Sequence, residues 1–319
     1  MFNVCLIGFG NIGRRHFEAL LKINFDAKIF LIDPYEHAFD NINDYNLTSS
    51  ISVEFSHNYD FLPKNIDLAI IATSSDVRRK CFEQLIEKCN VKYIIFEKIL
   101  FQKVEDYDYV ESELNKRGIK AWVNCARREF ESYQKLKKKL SESTINSINI
   151  TGGNWGFGCN GIHMLDLISY LLDDQELIIN KFDINNEVIE SKRKGFKEFY
   201  GRFDGICLNS DTIFSICCKD SDEDLSIIID TDSYIYIVFE KQNIILSIDK
   251  KNAININKSD YIIEFISNTT TKAVNNIYKD GLCALSGFSK SKELHLKFIK
   301  PVLEFLNEVL GETNICPIT

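Results

Sequence analysis

The sequence predicts an α/β protein: a doubly wound parallel sheet over residues 1–123, then an α+β domain over residues 124–319 built on a mostly antiparallel sheet. Three observations predict it. Short, continuously apolar runs alternate with amphipathic stretches through the first third, the rhythm of βαβ units whose strands are covered on both faces. A glycine-rich turn follows the first of these runs. Beyond residue 124 the alternation stops, and strand-like runs succeed one another at hairpin intervals.

In order, strands are expected at Phe2 to Ile7, Lys28 to Ile32, Ser52 to Phe55, Leu68 to Ala72, Tyr93 to Phe96 and Lys120 to Val123. Amphipathic helices are expected at Ile12 to Lys22, Val77 to Lys88 and Val104 to Lys116. Phe2 to Ile7 is too short for a signal segment and runs straight into the glycine turn, so it reads as a strand. Later, Glu129 to Leu140 reads as a helix and Asn146 to Ile150 as a strand. Gly161 to Leu172 carries Met164, Leu167, Ile168 and Leu171 at helical spacing. From Leu177 to about Phe265 strands dominate, with runs at Ile206 to Leu208, Thr212 to Cys217, Ser226 to Asp230, Tyr234 to Phe239 and Ile244 to Ile248. A last helix spans Lys292 to Leu310, where Pro301 predicts a kink or a split.

The 319 residues carry a formal net charge of -8, which argues against a nucleic-acid partner. Lys137-Lys138-Lys139 reads as a solvated helix face. No apolar run approaches the ~20 residues that span a bilayer. The ten cysteines form no C-x-x-C pair and sit mostly in apolar runs. They read as reduced cysteines of a cytoplasmic protein, and the absence of clustered Cys/His spacings argues against a metal site.

The strongest motif is Gly8-Phe9-Gly10-Asn11-Ile12-Gly13. It follows a strand and opens a helix, the context of a dinucleotide fingerprint. Gly8 permits the turn, Gly10 lets the backbone approach a pyrophosphate, and Gly13 lets helix and strand pack. The amide groups of the first turn, around Asn11 and Ile12, then face the phosphates. Asp33 ends the next strand, placed to accept hydrogen bonds from the adenine ribose. Pro34-Tyr35 after it supplies no arginine for a 2′-phosphate, so NAD is expected over NADP. Ala72-Thr73-Ser74 are small residues at a strand end, suited to cofactor passage and equally to capping the next helix. Glu97-Lys98 closes another strand, either as a structural ion pair or with Lys98 beside the nicotinamide as the proton-transfer group. Partial desolvation and the nicotinamide cation would favour its neutral form. His163 and Asp166 share a helical face fed by a loop of small and aromatic residues, Trp155-Gly156-Phe157-Gly158-Cys159-Asn160-Gly161. Taken alone, His163 reads as a core histidine as readily as a ligand-facing one. Arg127 and Arg128 follow the last Rossmann-type strand, as substrate contacts or as ion pairs.

In that order, these motifs resemble the glucose–fructose oxidoreductase, inositol dehydrogenase and MocA family over essentially the whole chain. The resemblance implies an N-terminal Rossmann domain and a C-terminal domain whose sheet is open. It implies sugar, cyclitol or nucleotide-sugar substrates that exchange a hydride at a carbinol or carbonyl carbon, and a homodimer or homotetramer assembled through the open sheet. Lys98 matches the family's Glu-Lys-Pro lysine and His163 its active-site histidine; Asn160 lies in the same motif, with Glu97 and residues 72–74 along the cofactor. Ile99 replaces the proline, Arg78 a histidine common after the fourth strand, and Cys159 an aspartate four positions before the histidine. The Trp-Gly-x-x-Cys-Asn-x-x-His-x-x-Asp form and the terminal Cys316-Pro317-Ile318-Thr319 are similar to a subgroup associated with bacterial surface-sugar biosynthesis. The missing carboxylate also motivates a second expectation, a non-catalytic NAD-binding regulator.

Overall fold

The computed structural model describes residues 1–252, 256–262, 264–311 and 313–319. Its elements are β1 (Phe2–Ile7), α1 (Asn11–Leu20), β2 (Ala27–Ile32), β3 (Ile51–Ser56), β4 (Asn65–Ile71), α2 (Arg78–Lys88), β5 (Asn90–Phe96), α3 (Val104–Arg117), β6 (Lys120–Val123), α4 (Glu131–Leu140), β7 (Ile145–Gly153) and α5 (Phe157–Leu171). They continue with β8 (Leu177–Glu190), β9 (Lys197–Cys207), β10 (Ile213–Lys219), β11 (Ser226–Thr231), β12 (Tyr234–Phe239), β13 (Ile244–Asp249), β14 (Ile256–Asp260), α6 (Ile266–Asp280), β15 (Ser286–Gly287) and α7 (Phe288–Leu310).

Two units form. The first comprises Met1–Ala126 and Phe265–Lys292, the second Arg127–Glu264 and Glu293–Thr319. The first unit holds a sheet of order β15-β6-β5-β4-β1-β2-β3. Strands β1 to β6 are parallel, and β15 adds an antiparallel edge. The chain therefore winds outward from β1 in both directions, and the order reverses between β1 and β4. In doubly wound sheets the crevice beyond the carboxyl ends of those two strands is where a ligand binds. The core explains the apolar runs: Val4, Leu6, Ile29, Leu31, Leu68, Ile70 and Ile95 are buried in one cluster. Ala273, Val274 and Ile277 of α6 belong to the same cluster as Phe17 and Leu20 of α1.

The second unit holds a sheet of order β14-β13-β12-β11-β7-β10-β9-β8. All pairings are antiparallel except β7 with β10. On one face Ile227, Ile229, Phe203, Phe214 and Ile216 are buried. The opposite face carries an apolar row, in which Ile228 stands opposite Ile237 and Ile237 opposite Leu246, with Ile235, Ile248 and Ile256 in register beside it.

Two sequence expectations change. The segment 157–160, read as loop, is the first turn of α5. Gly158 in it and Gly161 after it serve packing: a Cβ would lie 3.2 Å from the Phe199 ring and 2.8 Å from the Phe298 ring, respectively. And Pro301 does not split the last helix, which runs unbroken through it. A proline inside a helix costs about 3 kcal/mol. Fully buried Phe298, Ile299, Val302 and Leu306 flank it, and burying such side chains contributes about 1.5–3 kcal/mol each, so packing wins.

Candidate functional site: the cofactor edge and the histidine helix

The glycine turn in the first unit is built by steric exclusion. Gly8 has φ +92°, a left-handed conformation that side chains rarely adopt. A Cβ there would lie 3.0 Å from the Ala72 carbonyl carbon and the Thr73 nitrogen. A Cβ on Gly13 would fall 1.9 Å from the Gly8 carbonyl oxygen, so only glycine lets α1 start so close to β1. Gly10 is different: a Cβ there would meet nothing within 4 Å. The turn thus has open space at Gly10, a cradle that a side chain would fill. α1 starts at Asn11 with no side-chain cap, and the first-turn amides there and at Ile12 offer hydrogen bonds at the positive end of the helix. These features fit a pyrophosphate.

Asp33 closes the cradle from β2. Its Oδ2 accepts the Phe9 N–H at 2.7 Å and its Oδ1 the Tyr35 N–H at 2.9 Å. The carboxylate is half-exposed, which leaves it lone pairs for ribose hydroxyls. On the other side of β1, Ala72, Thr73 and Ser74 follow β4, with Ala72 N–H bonded to the Ile7 carbonyl at 2.8 Å. The Ser74 hydroxyl donates to Asp76.

Glu97 follows β5 and turns inward. Its Oε1 accepts His16 Nε2 at 2.8 Å and Asn124 Nδ2 at 2.5 Å, and His16 Nδ1 meets the Thr270 hydroxyl at 2.9 Å. All four side chains are buried. Burial pushes the Glu97 carboxyl up, but the hydrogen bonds from His16 and Asn124 and the charge of Lys98 outweigh it and hold it below the usual carboxylate range. Lys98 is half-buried on the next residue, and the Lys98–Ile99 peptide is cis. The glycine turn, Asp33, residues 72–74 and Glu97-Lys98 therefore all stand at the carboxyl edge of one sheet.

The remaining candidates lie in the second unit. Glu198 of β9 accepts the N–H groups of Gly158 and Cys159, at 3.1 and 2.6 Å, and so caps the first turn of α5. Asn160 Nδ2 donates to the Trp155 carbonyl at 2.6 Å. His163 is half-buried on the next turn. Asp166 is buried and takes a two-pronged contact from Arg128: Nε to Oδ2 at 2.8 Å and Nη2 to Oδ1 at 2.9 Å. Arg128 also reaches Asp174 at 2.7 Å. Arg127 makes the equivalent fork to Glu240, at 2.9 and 2.8 Å, and Tyr133 and Tyr261 donate to the same carboxylate. Burial disfavours each guanidinium's charge, but the facing carboxylates more than offset it and raise both above the ordinary arginine value. Both arginines are thus engaged in ion pairs of their own unit. His16, Asn124 and Glu198 are polar groups that no sequence motif marks.

Among the described residues, no group of three or more His, Cys, Asp or Glu side chains is placed to hold a metal ion, and no helix is long and apolar enough to cross a membrane. Residues 2–125 match the family model described as "Oxidoreductase family, NAD-binding Rossmann fold". That segment is similar to the Gfo/Idh/MocA family. No curated protein sequence matches the chain. Among solved structures, a super-repressor mutant of Gal80p from Saccharomyces cerevisiae is 16% identical, with TM-score 0.76 and 95% of each chain covered. UDP-N-acetylglucosamine 3-dehydrogenase GnnA from Acidithiobacillus ferrooxidans is 13% identical, with TM-score 0.74, covering 97% of this chain and 98% of that one. An oxidoreductase from Agrobacterium radiobacter, in complex with NAD+, L-tartaric acid and magnesium, is 14% identical, with TM-score 0.70, covering 93% and 94%. At these identities the likeness is one of fold. The match supports NAD as the cofactor.

Proposed function

We propose that the protein is a cytoplasmic NAD-dependent oxidoreductase that exchanges a hydride at a carbinol or carbonyl carbon of a sugar or nucleotide sugar, in surface-glycan biosynthesis. The observation that carries the reading is Lys98, a half-buried cation at the carboxyl edge of the sheet that bears the cofactor cradle. When bound, the nicotinamide supplies the hydride acceptor or donor. Lys98 gives or takes the proton of the reacting oxygen, while His163 and Asn160 orient the substrate. Ten cysteines without a C-x-x-C pair support a reducing compartment.

A second reading, an NAD-binding regulator, is favoured by Cys159 at the helix turn where a carboxylate would serve His163, and by a fold shared with Gal80p as fully as with dehydrogenases. Incubating the purified protein and NAD with free and nucleotide sugars separates the two. A change in reduced-nicotinamide absorbance supports the enzyme; bound, redox-inert NAD across the panel supports the regulator.

Cofactor choice gives a sharper expectation. Asp33 repels a 2′-phosphate, so calorimetry should show NAD bound more tightly than NADP. Asp33→Ala should weaken NAD binding by about 1.5–3 kcal/mol, the worth of hydrogen bonds to a charged acceptor. Asp33→Asn should lose less, because its amide oxygen can still accept the Phe9 N–H. NADP binding as tight as NAD in the unaltered protein would refute the assignment.

The second unit's exposed apolar row points to self-association. Ile256 is 56% exposed and Ile228, Ile235, Ile237, Leu246 and Ile248 are half-buried, and contiguous apolar surface on a sheet face is an interaction site. Light scattering at micromolar concentration should give a homodimer or homotetramer. Ile237→Lys, in the middle of the row, should shift it toward monomer; a monomeric mass for the unaltered protein would end this reading.

A further inference from the structure

We propose that Arg78 is a positioning residue that fixes Lys98 against the cofactor-lining turn. The proposal rests on the reading of Lys98 as the proton-transfer group. Arg78 is the first residue of α2 and only 1% exposed. Its guanidinium donates to the carbonyl of Thr73, in the turn after β4, and to the carbonyls of Ile99 and Leu100, the latter at 2.9 Å. One rigid fork therefore holds both the small-residue turn and the segment that carries Lys98.

Three physical points favour positioning over simple packing. Residues 97–100 lie outside any strand or helix, so no ladder fixes the backbone at Lys98. Ile99 and Leu100 are fully buried, and their carbonyls need donors that water cannot supply. A cation in the first turn of α2 opposes the helix dipole, so helix stability does not account for an arginine there. Guanidinium geometry does: its donors are arrayed in a plane and can serve several carbonyls at once, which a lysine ammonium on a flexible stem cannot do with fixed orientation.

The test uses Arg78→Ala and Arg78→Lys with and without methylguanidinium, alongside Lys98→Met. One arm measures the rate at which acetic anhydride modifies Lys98, by peptide mass spectrometry, relative to exposed Lys120, with and without NAD. The other measures kcat and KM on any sugar or nucleotide sugar that the unaltered protein turns over. Positioning predicts a kcat lower by roughly 10–100-fold, the cost of misplacing a reacting group, with the KM for NAD little changed. It also predicts a shifted Lys98 to Lys120 labelling ratio, recovery of both by methylguanidinium in Arg78→Ala, and no recovery of kcat in Lys98→Met. A folded Arg78→Ala protein with unaltered kcat and labelling ratio overturns the proposal. So does methylguanidinium that restores thermal stability alone. If Arg78→Ala does not fold, Arg78→Lys carries the same two readouts. If the unaltered protein turns over no sugar, the oxidoreductase reading fails, and the labelling ratio alone decides whether Arg78 sets Lys98.

Discussion

Replacing Lys98 with methionine is expected to cut turnover by roughly 10²–10⁴-fold, the usual worth of general acid–base catalysis, while NAD affinity stays close to that of the unaltered protein. Methionine keeps the length and apolar stem of lysine and removes the proton carrier. The separation of effects follows from the layout of the first unit. The cradle at Gly8 to Gly13 and Asp33 is assembled by β1, α1 and β2, whereas Lys98 follows β5. Steady-state kinetics with calorimetry checks both halves. His163→Ala should raise KM as well as slow turnover, the outcome of the orienting role proposed for it. Near-normal turnover in Lys98→Met together with its abolition in His163→Ala would reverse the two roles.

Removing the Asp166 carboxylate should damage the fold and spare the chemistry. Arg128 and Asp166 are 4% and 1% exposed at their side chains. Breaking such a pair leaves a buried cation uncompensated, a loss of about 3–5 kcal/mol. Asp174 still faces Arg128, which places Asp166→Ala toward the lower end. The melting temperature should fall by roughly 6–15 °C for a chain of this size, with kcat per folded molecule unchanged below the transition. The paired replacement Arg128→Met with Asp166→Leu should recover part of the loss, since no charge is then stranded. A variant that melts normally but is inactive would move Asp166 into the reaction.

These two expectations differ in how far the sequence alone supports them. The parallel sheet and its glycine turn are readable because one physical constraint, burial on both faces, writes continuous apolar runs, and because the tight turn at Gly8 and Gly13 admits only one residue type. Asp33 and Lys98 are readable as polar residues that end such runs. The pairing of Arg128 with Asp166 is not, since it spans 38 positions with no local pattern. Glu198 is hidden for the same reason: it lies in β9, and its capping partners lie in α5. The first turn of α5 reads as a loop because Gly158, Asn160 and Gly161 are poor helix formers whose presence is set by neighbours. Helix α6 escapes notice too. Its Ser267-Asn268-Thr269-Thr270-Thr271 start has low helical propensity, and burial of Ala273, Val274 and Ile277 overrides it. Much of β8 and β9 is charged or glycine-interrupted, so only the Ile206 end stands out.

The return of residues 265–292 to the first unit has a consequence for synthesis. α6 covers the core at Phe17 and Leu20, and Thr270 and Thr271 bond to His16 and to the Ala19 carbonyl. When translation reaches residue 126, none of these partners exists. The whole of Arg127–Glu264 must be made before they emerge, which at ribosomal speeds takes roughly 10–30 s. Through that interval the nascent nucleotide-binding unit carries an uncovered apolar flank and a buried-type histidine open to water, the state in which chaperones bind and fragments aggregate. A ribosome-released piece ending at 126 would remain in that state permanently.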